Sequence, residues 1–65
     1  MQIQVNGELR EVFSATLDAL LRELAYNEAA VATALNQNFV RRRDRSATKI
    51  KEGDAVEILV PRQGG

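Results

Sequence analysis

The pattern of apolar residues predicts an α+β protein: a mixed sheet of about five strands with one main helix packed on one face. Three observations carry this. Polar and apolar residues alternate near both ends, in Gln2-Ile3-Gln4-Val5 and in Ala55 to Val60, as in half-buried strands. Between them Leu17, Leu20, Leu21 and Leu24 recur at the spacing of one helix face. Asn6-Gly7, Asn36-Gln37-Asn38 and Glu52-Gly53-Asp54 punctuate the chain as turns.

The first strand ends at Asn6-Gly7, a strong hairpin signal because both residues accept positive φ. Glu8 to Phe13 is the return strand. A two-residue loop would pair Val5 with Glu8, and a three-residue loop Val5 with Leu9. The second gathers apolar groups on one face and is the expected register. Thr16 is placed as helix N-cap, with Asp18 suited to the positive end of the helix. The four leucines form the buried stripe, and Arg22 and Glu23 lie off it. Tyr26-Asn27-Glu28 ends the helix in a loop.

Val31 to Leu35 is the third strand, and its small residues allow a helix to pack closely. Phe39-Val40 is a short fourth strand, with Phe39 expected in the core. Arg41 to Thr48 is a polar connection. Ile50 is the one large apolar residue near it and is expected to plug the core. Ala55 to Val60 is the last strand, with Val56, Ile58 and Val60 facing the helix and Ala55, Glu57 and Leu59 facing away. Pro61 lacks an amide hydrogen and closes it. The most economical packing sets the first and last strands side by side in the centre of the sheet. That is the β-grasp arrangement of ubiquitin. Residues 1–61 form the domain, and residues 62–65 a flexible C-terminal tail.

Composition narrows the function. Sixty-five residues make one small domain, and a chain of this size buries only about 60% of its unfolded surface. A core and a deep substrate cavity do not both fit. Nine basic and nine acidic residues cancel, which argues against a general affinity for nucleic acid or membrane. Cysteine and histidine are both absent. Disulfides, thiolate nucleophiles, Cys/His metal sites and histidine acid–base chemistry go with them. The remaining carboxylates and lysines form no constellation, so no catalytic residue and no metal site is assigned. An enzyme is not expected. The N-terminus has no signal-peptide pattern and no stretch reaches membrane-spanning length, so the expected location is the cytoplasm.

The sequence ends Arg62-Gln63-Gly64-Gly65. Two glycines make the thinnest stretch of chain available, able to thread a narrow slot with φ/ψ values closed to other residues. A carboxylate is a poor electrophile until activated, for example as an acyl-adenylate. Such a tail suits a protein whose own C-terminus is the substrate of another enzyme. The plain alternative is a frayed end.

The residues also resemble the ThiS family of sulfur carriers in thiamin biosynthesis. The resemblance runs the full length and is densest from residue 34 onward. It is carried by Ala34-Leu35-Asn36, Val40, Arg42, Ile50, Gly53-Asp54, Val56-Glu57-Ile58 and Gly64-Gly65, together with Asn6-Gly7, Thr16, Leu20-Leu21 and Leu24. The chain departs from the family where it has Arg41 in place of a common proline, Arg45 in place of an aromatic, and Lys49 in place of a hydrophobic residue.

The resemblance implies a cycle. An activating enzyme similar to those of ubiquitin adenylates the Gly65 carboxylate, using its own ATP and magnesium. A sulfur donor such as a cysteine-desulfurase persulfide then displaces AMP. The resulting thiocarboxylate on Gly65 supplies thiazole synthase. The chain itself binds no cofactor in this scheme. With no cysteine in the body of the protein, a carried sulfur has to ride on the C-terminus. Gly64 threads the slot, and Leu59, Arg62 and Gln63 are the expected partner contacts.

Two other readings stay open. One is a related thiocarboxylate carrier, such as the molybdopterin synthase small subunit, though that type is usually longer. The other is a β-grasp interaction domain whose Gly-Gly is incidental, which a longer natural chain would favour. The run Arg41-Arg42-Arg43-Asp44-Arg45 has no interleaved aromatic for base stacking. It reads as a solvated loop, and secondarily as a docking site for an acidic partner surface. Glu57 and Arg62 flank the tail and either steer docking or are simply solvated.

Overall fold

Ile3 and Val5 turn inward and Gln2 and Gln4 outward, so the first strand, β1 (Gln2–Val5), has one buried and one open face. It is followed by β2 (Glu8–Glu11), α1 (Leu17–Glu23), β3 (Ala32–Leu35), β4 (Asn38–Val40), a 3-10 helix (Arg42–Ala47) and β5 (Ala55–Leu59), and the division recurs most clearly in α1 and β5. The computed structural model describes residues 1–61. The five strands form one sheet in the order β2-β1-β5-β3-β4. β1 and β5 lie side by side and parallel in its centre, and the other neighbours are antiparallel. This is the expected mixed sheet with one main helix, the β-grasp fold.

The core is a single cluster on the helix side. Leu17, Leu20 and Leu21 of the stripe are fully buried against Ile3, Val5, Val12, Val56 and Ile58, with Leu24 packed at the margin. Ile50 plugs the core as expected. It is held there by its N–H bond to the Ala15 carbonyl and by the neighbouring Thr16–Lys49 bridge. Thr16 sits at the N-cap position in extended conformation, but its hydroxyl bonds the Asp18 carboxylate rather than a helix N–H. The first helical bond runs from the Leu20 N–H to the Thr16 carbonyl. Ahead of the helix, Glu23 accepts the N–H groups of Phe13 and Ser14 and the Ser14 hydroxyl.

Several expectations are corrected. The first hairpin pairs Val5 with Glu8, not Leu9. Asn6 (φ 52°) and Gly7 (φ 84°) both occupy the left-handed region, so two residues close the turn. Leu9 then opposes Gln4 on the open face. β2 is an edge strand with every residue exposed, so it has no apolar face to bury, and Val12 supplies the core instead. The second hairpin is closed in the same way by Asn36 (φ 49°) and Gln37 (φ 72°).

Val60 does not join Val56 and Ile58 inside. The β3–β5 ladder ends at the Ala32–Leu59 pair, and Val60 lies exposed beyond it. Phe39 is not core either. It pairs with Ala34 on the side of the sheet away from α1 and is 70% exposed.

The polar connection departs most from expectation. Most of it is helical, and Arg45 is only 3% exposed, so the run Arg41–Arg45 is not uniformly solvated. The Arg45 guanidinium donates from Nε to Thr33 Oγ1 (3.0 Å), from Nη1 to the Glu28 carbonyl (2.7 Å) and from Nη2 to the Val31 carbonyl (2.8 Å). Thr33 passes its own hydroxyl hydrogen to the Val40 carbonyl. A buried charge is tolerable when its donors are met, and this one ties the loop before β3 to the 3-10 helix.

Candidate functional site

The face of the sheet away from α1 is left open among the described residues. Alternation along the strands sets Ala32 and Ala34 of β3, Phe39 of β4 and Glu57 and Leu59 of β5 on that face. The alanines are small and their neighbours long, so a shallow groove of about 240 Å³ opens over β3, lined by these residues and Thr33. Leu59 stands on the open face, as the alternation of β5 predicts, and is 70% exposed. It is the last residue of the central strand and lies directly before the chain leaves the sheet. Phe39, read from sequence as core, forms the other wall.

β5 is held from both sides by asparagines. On the β1 side, the Ile58 N–H donates to Asn6 Oδ1 (2.8 Å) and Asn6 Nδ2 donates to the Ile58 carbonyl (3.1 Å). The side-chain amide thus continues the β1–β5 pairing past Val5, where β1 stops. On the β3 side, the Ala55 N–H donates to Asn36 Oδ1 (2.9 Å), and the Asn36 N–H donates to the Ala55 carbonyl (2.7 Å). Asn36 Nδ2 also reaches Asp54 Oδ1 (3.1 Å). Both asparagines sit in hairpin turns at positive φ. Asn tolerates that conformation better than most residues, and its amide can mimic a peptide group. The sequence marked both as turn residues. It could not show that their side chains hold the last strand.

Of the residues singled out by the sequence, Leu59 and Glu57 therefore meet on one groove. Arg62, Gln63, Gly64 and Gly65 lie outside the described residues. Among the described residues no group of three or more His, Cys, Asp or Glu side chains could hold a metal. No buried side-chain polar atom there lacks a hydrogen-bond partner. No described helix is long and apolar enough to cross a membrane. The described site offers an apolar surface beside the end of β5, which is held on both sides.

These features define a small β-grasp protein with an open-face groove next to the end of its central strand. The particular family is shown by comparison. The sequence pattern of the ThiS family matches residues 3–65, and the chain belongs to that family. Its structure is similar to the crystal structure of a thiamine biosynthesis protein, ThiS, from Geobacter metallireducens, at 36% sequence identity and a TM-score of 0.84, with all of both chains covered. It is also similar to the solution structure of a thiamine biosynthesis protein from the same organism, at 36% identity and a TM-score of 0.82, covering all of this chain and 88% of the other. Among curated proteins no sequence matches this chain.

Proposed function

We propose that the protein is a sulfur carrier for thiazole formation in thiamin biosynthesis, and that Gly65 is where the sulfur is attached. The observation that carries this reading is the placement of β5: the central strand, held on both sides, leads through Pro61 directly into Arg62-Gln63-Gly64-Gly65. Membership of the ThiS family over residues 3–65 supports thiazole as the product over a molybdopterin-type pathway.

In the proposed cycle a Gly65 carboxylate oxygen attacks the α-phosphorus of ATP in an activating enzyme, and pyrophosphate leaves. The acyl-adenylate exposes its carbonyl carbon to the terminal sulfur of a persulfide, which displaces AMP. Cleavage of the acyl disulfide by a thiol then leaves the thiocarboxylate. ATP and magnesium belong to the activating enzyme. The carrier supplies a carboxylate on a thin arm, since four residues past Pro61 reach at most about 14 Å fully extended. Gly64 lets the arm pass a narrow slot, Arg62 and Gln63 contact its walls, and Leu59 anchors the body of the domain on the partner. The domain so proposed ends at residue 61 and the arm occupies 62–65.

The test is intact-protein mass spectrometry after incubation with the activating enzyme of the same organism, ATP, magnesium, a persulfide donor and a thiol. One terminal oxygen is expected to be replaced by sulfur, with fragmentation placing the change on Gly65. Sulfur on an internal residue would overturn the reading.

A further inference from the structure

The basic charge of this neutral chain is concentrated in one short segment. Four of its nine basic residues and one of its nine acidic ones fall between residues 41 and 45, so that segment carries +3 and the remainder −3. Arg45 is consumed internally, while Arg41, Arg42 and Arg43 are exposed and form no ion pair among the described residues. Their place is set by the ladder. Val40 pairs with Thr33, so Arg41 continues β4 level with Ala32, whose partner on the other side is Leu59. Arg41 therefore stands at the end of the groove from which β5 leaves the sheet, and Arg42 and Arg43 follow it as the first residues of the 3-10 helix. The opposite edge is mixed in charge. β2 carries Glu8, Arg10 and Glu11, Glu11 pairs with the N-terminal ammonium, and Lys51 adjoins Glu52, which accepts the N–H of Gln2.

From this placement we infer that Arg41, Arg42 and Arg43 form a charge-selective corner of the docking face. The inference rests on the carrier reading above and specifies the activating partner. That partner carries an apolar group that fills the groove between Phe39 and Leu59, a cation or donor over Glu57, and a cluster of carboxylates facing the arginine corner. Two signs at two fixed places allow one rotation of the domain on its partner. A carrier whose reactive end is a short arm needs that rotation for the arm to enter the partner's site. Separated charge also orients the approach before contact, so the effect falls mainly on the association rate and weakens with salt.

The experiment measures association of the chain with the ATP-dependent activating enzyme of the same organism by stopped-flow fluorescence across a series of salt concentrations. Adenylation is followed in parallel. The test variant is Arg41→Gln/Arg42→Gln/Arg43→Gln. The control, Arg10→Gln/Lys49→Gln/Lys51→Gln, removes the same net charge away from the corner. Circular dichroism checks that both fold. The corner variant is expected to associate roughly tenfold more slowly at low salt, with a flatter salt dependence, while the control stays near wild type. Equal effects of the two variants, or none from the corner, overturn the inference while adenylation of the wild type upholds the carrier reading. A wild-type chain that is neither bound nor adenylated overturns both.

Discussion

Replacing Arg45 by alanine removes three donors from a site that water reaches poorly. The acceptors left behind are the Glu28 and Val31 carbonyls and Thr33 Oγ1, at 2.7, 2.8 and 3.0 Å in the native structure. Hydrogen bonds from a charged group contribute about 1.5–3 kcal/mol each. The sum is reduced because desolvating the guanidinium itself costs several kcal/mol, and that cost vanishes with the side chain. Thr33 also keeps its bond to Val40. A net loss of about 2–4 kcal/mol is expected. A domain of this length has only about 3–10 kcal/mol of stability in total, so the variant would forfeit a large share of it. Urea unfolding followed by circular dichroism measures the change as a lower midpoint at unchanged slope. Arg45→Lys keeps the charge but not the planar fork, and is expected to recover less than half of the loss. Arg43→Ala, on the exposed side of the same helix, serves as the reference and should stay within about 0.5 kcal/mol of wild type. If Arg45→Ala were no worse than Arg43→Ala, the three bonds would not stabilise the fold and the argument would fail.

Asn6→Gly preserves the positive φ of the turn but deletes both bonds to Ile58. It should cost about 1–2 kcal/mol and speed amide exchange at Ile58, and unchanged exchange there would refute the asparagine's role. Leu59→Lys should weaken binding to the activating enzyme by about 1–2 kcal/mol with folding intact, as read by titration calorimetry. Deleting Gly65 should leave the thermal transition within about a degree while abolishing ATP–pyrophosphate exchange, and wild-type exchange by the deletion variant would exclude the C-terminus as the reactive group. Stability should also depend on acid. The Ser14 hydroxyl, with the Phe13 and Ser14 N–H groups, holds the Glu23 carboxyl below its ordinary pKa, and the Thr16 hydroxyl does the same for Asp18. Folded-state values below the unfolded ones mean that this stabilisation is complete above the unfolded pKa, about 4. It is lost as pH falls through the folded values. Urea midpoints should therefore hold steady from neutral pH to about 5 and then decline, less steeply in Glu23→Gln.

Elements whose burial follows from local periodicity were legible in the sequence. The leucine stripe, the strand order, Ile50 and the outward Leu59 all stand where alternation and spacing put them. Features decided by tertiary neighbours were not. The hairpin register differs from expectation because Leu9 stays exposed, and nothing in the sequence says that β2 has no layer above it. Phe39 is large and apolar, so a core position was the natural expectation, yet β4 is an edge and its turn aims Phe39 at the open side. Arg45 was hidden for a different reason: an arginine is buried only where carbonyls happen to converge, and those at Glu28 and Val31 come from a distant loop. Of the proposed site, the sequence pointed to Leu59 on the open face, while the proposed arm lies outside the described residues. The groove and the basic corner emerged only with the strand pairing.

The paired asparagines on β5 bear on mechanics as well as stability. In the proposed cycle, an enzyme that draws residues 62–65 into its active site would pull on the strand that precedes them. Because β5 runs parallel to β1 and is gripped along both sides, a tug along its axis loads the ladder bonds in shear, all at once, rather than peeling them one by one. Asn6 takes the first strain at Ile58, close to the point of pull, and Asn36 anchors the far end at Ala55. The domain can therefore act as a rigid handle whose grip does not slip when its end is seized.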